Sequence, residues 1–208
     1  MRIAKTAKIE ENKVLFNKWA KTYDNSLFQF WMKGFHRAAL EYIKKHSATE
    51  KKISILDISC GSGELLKELV KKGFKNIYGI DIAPKMLLAA KRKLASYAKL
   101  YEADVNKLPF KDKKFDYVLS TEAFHHYYDQ KKALQEMKRV TKRKGRVIVA
   151  DINFYFRPIH WLFEKLEPGC VKVNSAKQMR ELFNRVGLKI EMQKRTFLFA
   201  VTTIGIVE

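Results

Sequence analysis

The sequence is short of the residues that build covalent scaffolds. Its 208 residues include two cysteines and four prolines. Cys60 and Cys170, with no C-x-x-C partner, exclude a disulfide framework and point to a reduced, cytoplasmic protein. No spacing of Cys or His suits a metal ion. Acid is scarce as well: 22 Asp and Glu stand against 42 Lys and Arg, leaving a net charge of +20. Long apolar runs are missing. FLFAVTTIGIV, near the C-terminus, is too short to span a bilayer and carries threonines, so it reads as strand, and stable membrane insertion is not expected. The basic start MRIAKTAKIEENK meets Glu10 and Glu11 before any apolar segment develops, so no targeting leader is expected.

What is present suits one domain over 1–208, since 47% of the residues are hydrophobic and the length is ordinary for a single core. The excess charge admits two readings, attraction to an anionic partner or a lysine-rich solvated surface. The densest cluster, KRVTKRKGR (138–146), follows a helix and leads into a strand. In a parallel sheet that turn lies at the edge opposite the ligand crevice, so it does not steer a substrate.

Hydrophobic periodicity divides the chain. Residues 10–46 predict two helices, the second capped by Ser26. From 53 the period changes: apolar strands at 53–58, 76–82, 98–104, 115–121 and 145–152 alternate with helices at 63–73, 83–97, 129–141 and 175–187. LKIEMQKR and TFLFAVTTIGIV close the chain as two strands in a hairpin. The alternation predicts an α/β, doubly wound, mostly parallel seven-stranded sheet with an antiparallel C-terminal edge strand. Around the core at 51–152, residues 1–50 are expected to form an N-terminal helical lid, 153–174 a lid insertion, and 175–208 a helix and strand pair.

ILDISCGSGEL (55–65) carries the chemistry. A Gly-x-Gly turn between a strand and a helix brings a ligand close to backbone N–H groups and a helix N-terminus. Leu66 stands where a dinucleotide fingerprint needs its third glycine, and the turn has no lysine, which excludes a phosphate-binding P-loop. Three acids end three successive strands: Asp57, Asp81 and Asp104. Asp81 lies 18 positions after Gly63, where an acid accepts both ribose hydroxyls; Asp104 is placed for an adenine amino group, and the Val105 N–H for the ring.

ILDISCGSGEL, IDIAPKML, EADVNKLPF and FDYVLSTEAFHHYYDQKKALQEMKRV resemble the successive motifs of class I S-adenosylmethionine-dependent methyltransferases, in particular the small-molecule branch that includes the ubiquinone/menaquinone-biosynthesis enzymes. The resemblance covers residues 10–190 and implies the Rossmann-like methyltransferase fold with S-adenosyl-L-methionine as cofactor and S-adenosyl-L-homocysteine as product. It assigns Asp57, Gly61 and Gly63 to the methionine part, Asp81 and the adjoining Ile82 to the ribose side, Asp104 and Val105 to the adenine, Ser120 to the strand end beside the methionine, and Tyr23 to an aromatic cover. The sequence departs from the family at Ser59-Cys60 and Lys144-Gly145, where a glycine more often stands at 59 and a Pro-Gly or Gly-Gly turn at 144–145. Tyr127 and Lys131 have the Y-x-x-x-K spacing of short-chain dehydrogenases, a match read as accidental.

A methyl donor already carries its activated group, so the protein must align the reactants and exclude water. A carbon or hydroxyl acceptor needs a base as well, and His125 and His126 are the candidates, His126 first, with structural roles the alternative. His36 and His160 read as packing residues. Phe28, Phe30, Trp31, Phe154, Tyr155, Phe156, Trp161 and Phe163 divide between sheet packing and the lining of an apolar acceptor pocket, and Arg157 either pairs with an acidic acceptor or lies on the surface. The expected partner is a small or lipid-like molecule. A nucleic-acid methyltransferase is the alternative, disfavoured because STEAFHHY lacks the Asn/Asp-Pro-Pro-aromatic loop and no cysteine lies there. A non-catalytic cofactor-binding protein is the third reading.

Overall fold

The computed structural model describes the backbone of residues 2–24, 26–47 and 52–208, and their side chains apart from those of 2–6, 26–29, 31 and 157. The expectations for the Ser26 cap and for the side chains of Phe28, Trp31 and Arg157 lie outside the described residues.

Seven strands form one sheet: β1 (Ser54–Ile58), β2 (Asn76–Asp81), β3 (Lys99–Glu102), β4 (Phe115–Thr121), β5 (Thr141–Ile152), β6 (Lys189–Phe197) and β7 (Ala200–Ile206). Their order is β3-β2-β1-β4-β5-β7-β6. β1 pairs in parallel with β2 and β4, β2 with β3, and β4 with β5. β7 runs antiparallel to both β5 and β6, one place in from the edge that β6 occupies. The sheet is therefore the doubly wound, mostly parallel one that the alternation predicts, with its antiparallel pairing at the C-terminal side.

The helices are α1 (Arg2–Trp19), α2 (Ser26–His46), α3 (Glu64–Lys71), α4 (Pro84–Leu94), α5 (Gln130–Val140), α6 (Arg157–Leu166) and α7 (Ala176–Arg185). Strand residues alternate between two apolar layers, as a strand buried on both faces must. Ile55, Tyr117, Leu119 and Ile148 face Ala39 and Ile43 of α2, Leu66 and Leu69 of α3, and Leu87 and Ala90 of α4. Leu56, Ile58, Val118 and Val149 face Leu134 and Met137 of α5 and Met179 and Phe183 of α7. Caps fix two of the helix starts: Asp129 accepts from Lys132 N at 3.0 Å, and Ser175 with Gln178 forms a capping box.

Most ends shift by a few residues, α4 closing at Leu94 and β3 spanning only Lys99–Glu102, and three differences say more. α1 begins at Arg2, well before residue 10, and Ile9, Asn12 and Phe16 lie on its face toward the cavity. TFLFAVTTIGIV is not a single strand: the chain turns at Leu198–Phe199, and its first two residues finish β6. β5 begins at Thr141, four residues early. Thr141 pairs with Phe115 and Arg146 with Tyr117, so the basic stretch between them bulges out of the ladder.

The basic cluster 138–146 lies at the N-terminal edge of the parallel strands, and three of its six cations pair with acids. Arg139 bonds Glu136, Asp112 and the carbonyls of Leu108 and Phe110. Lys142 pairs with Asp116, Arg146 with Glu191, and Lys138 donates to the Val186 carbonyl.

Inside the bulge Lys144 has φ 58° with an exposed side chain. A residue with a Cβ is strained there by roughly 1–2 kcal/mol, against roughly 0.5–1 kcal/mol of extra unfolded-chain entropy for glycine. Lys144→Gly is expected to stabilise the protein by about 0.5–1 kcal/mol and raise Tm by about 1–4 °C for a chain of this size. Thermal unfolding by circular dichroism checks this; an unchanged or lower Tm refutes it.

Candidate functional site

The turn after β1 is a run of left-handed residues: Ser59 at φ 59°, Gly61 at 52° and Gly63 at 83°. Glycine takes this conformation freely and serine does not. Ser59 offsets the cost with a hydroxyl contact to Tyr127 Oη at 3.1 Å. Crowding adds to this: a Cβ at Gly63 would meet Leu94 at 2.8 Å, and one at Gly61 would lie tight against the Tyr23 ring at 3.3 Å. Asp81 holds the turn to the end of β2. Its carboxylate accepts from Gly61 N at 2.9 Å and Ala83 N at 2.8 Å. Burial pushes the Asp81 carboxyl up to about 6 against these bonds, which pull it down. Asp57 lies behind it, 2% exposed, and burial with the Asp81 charge raises its carboxyl well above the usual carboxylate range.

A cavity opens at the carboxyl ends of β1, β2 and β4, where a doubly wound sheet binds its ligands. Gly61, Asp81, Ile82, Asp104 and Val105 line it from the core, and Tyr23 from the α1–α2 turn. Its free volume is about 80 Å³, with Ile9, Asn12 and Phe16 of α1 forming the opposite wall. Asp104 is oriented by Asn106 N at 2.8 Å and by the Tyr128 hydroxyl at 2.9 Å. Tyr23 is half-buried, and desolvation with the nearby Glu122, Asp81 and Asp57 raises its hydroxyl pKa well above the usual value. Gly63 and Ser120 do not line the cavity. Gly63 caps α3, and Ser120 is fully buried with its hydroxyl 2.8 Å from Tyr127 Oη. Tyr127 is thus committed to Ser59 and Ser120 while Lys131 is exposed, so no dehydrogenase-like pair is assembled.

A second cavity of about 210 Å³ adjoins the first and shares Phe16, Tyr23, Glu122 and His126 with it. Trp19, Phe154 and Phe163 supply further aromatic wall, and His125 and Glu167 supply polar groups. The two histidines differ sharply. His125 Nδ1 lies 2.7 Å from Asp151 Oδ1, both residues almost fully buried. Burial lowers the His125 pKa, but the charges of Asp151, Glu122 and Glu167 and the bond to Asp151 more than offset it, so the net shift is upward. His126 is lowered to about 3 by burial and by His125, and its Nδ1 has no hydrogen-bond partner among the described residues. A ring that weakly basic stays neutral in ordinary buffers, whereas His125 is the more basic of the two.

Pattern reading missed the α1 residues of both cavities, along with Glu122, Asp151 and Glu167. Glu122 is signalled only by backbone: it closes β4 at φ 49°, a strained conformation of the kind stored at functional sites. Of the aromatic lid, Phe154 and Phe163 turn inward, whereas Phe30, Tyr155, Phe156 and Trp161 are exposed. His36 and His160 are buried, the latter bonded to the Phe154 carbonyl at 2.9 Å. Among the described residues no helix is long and apolar enough to cross a membrane.

Residues 56–149 match the family model described as a methyltransferase domain. The chain is 32% identical over 162 residues to the 2-phytyl-1,4-naphtoquinone methyltransferase of Nostoc punctiforme, covering 73% of this chain and 69% of that one. A SAM-dependent methyltransferase of Aquifex aeolicus superposes with a TM-score of 0.73 at 20% identity, covering 92% of this chain and 98% of that one. A Haloferax volcanii structure, a complex between the Trm112 methyltransferase activator and a methyltransferase, superposes with a TM-score of 0.80 at 21% identity, covering 95% and 96%.

The buried His125–Asp151 pair makes stability depend on pH. The folded pKa of His125 is raised, so its stabilising contribution is complete below the unfolded value of 6.5 and is lost as pH rises through the folded pKa. Asp151→Asn leaves a buried imidazolium uncompensated and is expected to destabilise by about 3 kcal/mol or more at pH 5.5. The loss should shrink at pH 9. Urea titrations at both pH values test this, and a loss that is equal at both, or larger at pH 9, refutes it.

Proposed function

The chain belongs to the class I S-adenosylmethionine-dependent methyltransferases, and from that premise we propose that it methylates a small organic acceptor held in the aromatic cavity beside the cofactor site. The observation that carries the reading is the adjacency of the two cavities, one lined by strand-end acids and the other by rings, with Glu122 and His126 at their junction. S-adenosyl-L-methionine is the cofactor, and the residues present fit it. Asp81 stands ready for the ribose, Asp104 and Val105 for the adenine, with Ile82 beside the nucleoside. Gly61 leaves room at the turn, with Asp57, Gly63 and Ser120 behind it. No Lys or Arg lines this cavity among the described residues, which suits a cationic sulfonium. When bound, the cofactor supplies a methyl group whose carbon–sulfur bond breaks, leaving S-adenosyl-L-homocysteine, as the acceptor's lone pair forms the new bond in line.

The rest falls to the chain's own side chains. The α1 wall and Tyr23 fill much of the nucleoside space, so uptake moves them outward and closure brings them back to exclude water. His125, oriented by Asp151, accepts a proton from the acceptor, and neutral His126 shapes the junction. A second reading is favoured by the whole-length likeness to the activator-bound Haloferax protein: this chain works with an activating subunit, and activity that appears only on adding such a subunit would support it.

Two measurements test the proposal. Incubating the chain with methyl-labelled cofactor and a fractionated cell extract should place label in small organic molecules; label confined to RNA or protein refutes the reading. Ribose hydroxyls donate to an ionised Asp81, so cofactor binding favours the carboxylate. Affinity for S-adenosyl-L-homocysteine should therefore weaken as pH falls below about 6, up to tenfold per unit. Asp81→Asn should weaken it about 10- to 100-fold at pH 7.5. Calorimetry reads both, and a flat pH profile with an unaffected variant removes Asp81 from the site.

A further inference from the structure

We propose that the acceptor is a small amine, bound as its ammonium ion in the cavity between α1 and α6; this rests on the reading of that cavity as the acceptor site. The cavity's free volume of about 210 Å³ falls below the roughly 300–1,000 Å³ of sites for drug-sized ligands, so the acceptor is small. Its walls are the rings of Phe16, Trp19, Phe154 and Phe163, surfaces that attract a cation through their negative faces.

Charge decides the class. In a chain with 42 basic and 22 acidic residues, the cavity lining holds two glutamates, Glu122 and Glu167, and among the described residues no lysine or arginine. Glu122 is shared with the cofactor cavity, where its charge would also suit the cofactor's sulfonium. Glu167 is not, so the cofactor does not account for it. No lysine or arginine pairs with Glu167 among the described residues, and burial raises its carboxyl above the usual range while the His125 charge pulls it down only in part. A cationic ligand adds a favourable partner for this half-buried carboxylate, beyond the His125 charge.

The two carboxylates also discriminate among nucleophiles. An oxygen or carbon acceptor attacks as an anion, which neighbouring carboxylates destabilise. An amine enters as a cation, attacks as a neutral group and leaves as a cation, so the same carboxylates favour both ends of its path. The proton released on the way passes from the ammonium nitrogen to the ring nitrogen Nε2 of His125, whose imidazolium is balanced by Asp151. The freed lone pair forms the new nitrogen–carbon bond, and the positive charge that sulfur gives up moves to nitrogen. His126, buried with an unpartnered Nδ1 and lining both cavities, is a further polar group at this junction.

Calorimetry on the full chain saturated with S-adenosyl-L-homocysteine tests the class with three matched probes: 2-phenylethylamine, 2-phenylethanol and phenylacetate. The amine should bind at least tenfold more tightly than the alcohol, and phenylacetate should not bind. Glu167→Gln should weaken the amine about tenfold and leave the alcohol unchanged. An alcohol that binds as tightly as the amine, or a carboxylate that binds better, overturns the amine class while leaving the cavity as acceptor site. Failure of all three to bind protein that holds S-adenosyl-L-homocysteine overturns both.

Discussion

The carboxylate of Asp81 is the fastener on which the mouth of the sheet depends. Two N–H groups converge on it, one from the glycine turn and one from the start of α4. Its backbone carbonyl accepts from Ala103 just beyond β3, so three strand ends meet at one residue. Burying a carboxylate is unfavourable, and the shift of Asp81 to about 6 records that cost. The bonds from two otherwise orphaned amides offset it and fix the left-handed path from Ser59 to Gly63.

Most of the fold was readable because its signals are local. Wholly apolar runs ending in Asp mark strands buried on both faces, and β4 was bounded to the residue at 115–121. Asp129 and Ser175 announced helix starts that their side chains in fact cap. The errors arose where geometry depends on distant partners. Leu198–Phe199 carries no glycine or proline, so nothing local marks the turn between β6 and β7. The early start of β5 depends on a bulge against β4, which only pairing reveals. In the site, acids at strand ends were visible, whereas the Asp151 support for His125 joins residues 26 positions apart and leaves no trace in spacing.

The two departures from the family pattern have a common cause. Ser59 and Lys144 both stand at positive φ, the conformation for which glycine is the usual choice. Ser59 compensates through Tyr127, whereas Lys144, exposed, shows no comparable side-chain contact. The net charge of +20 is unevenly placed. Half of the densest basic cluster is paired with acids at the N-terminal edge, while the mouth gathers acids. A partner is selected by the few groups that face it.

β7 is the last strand in the chain yet lies inside the sheet, between β5 and β6. During synthesis β1 to β5 can pair as they emerge, but the outer edge of β5, with its VIVADI run, stays open until residues 200–206 arrive. Such an edge is a template for another chain's strand. The nascent protein therefore passes through an interval of self-association risk that ends only when β7 docks, and a chain interrupted before residue 200 would remain in it.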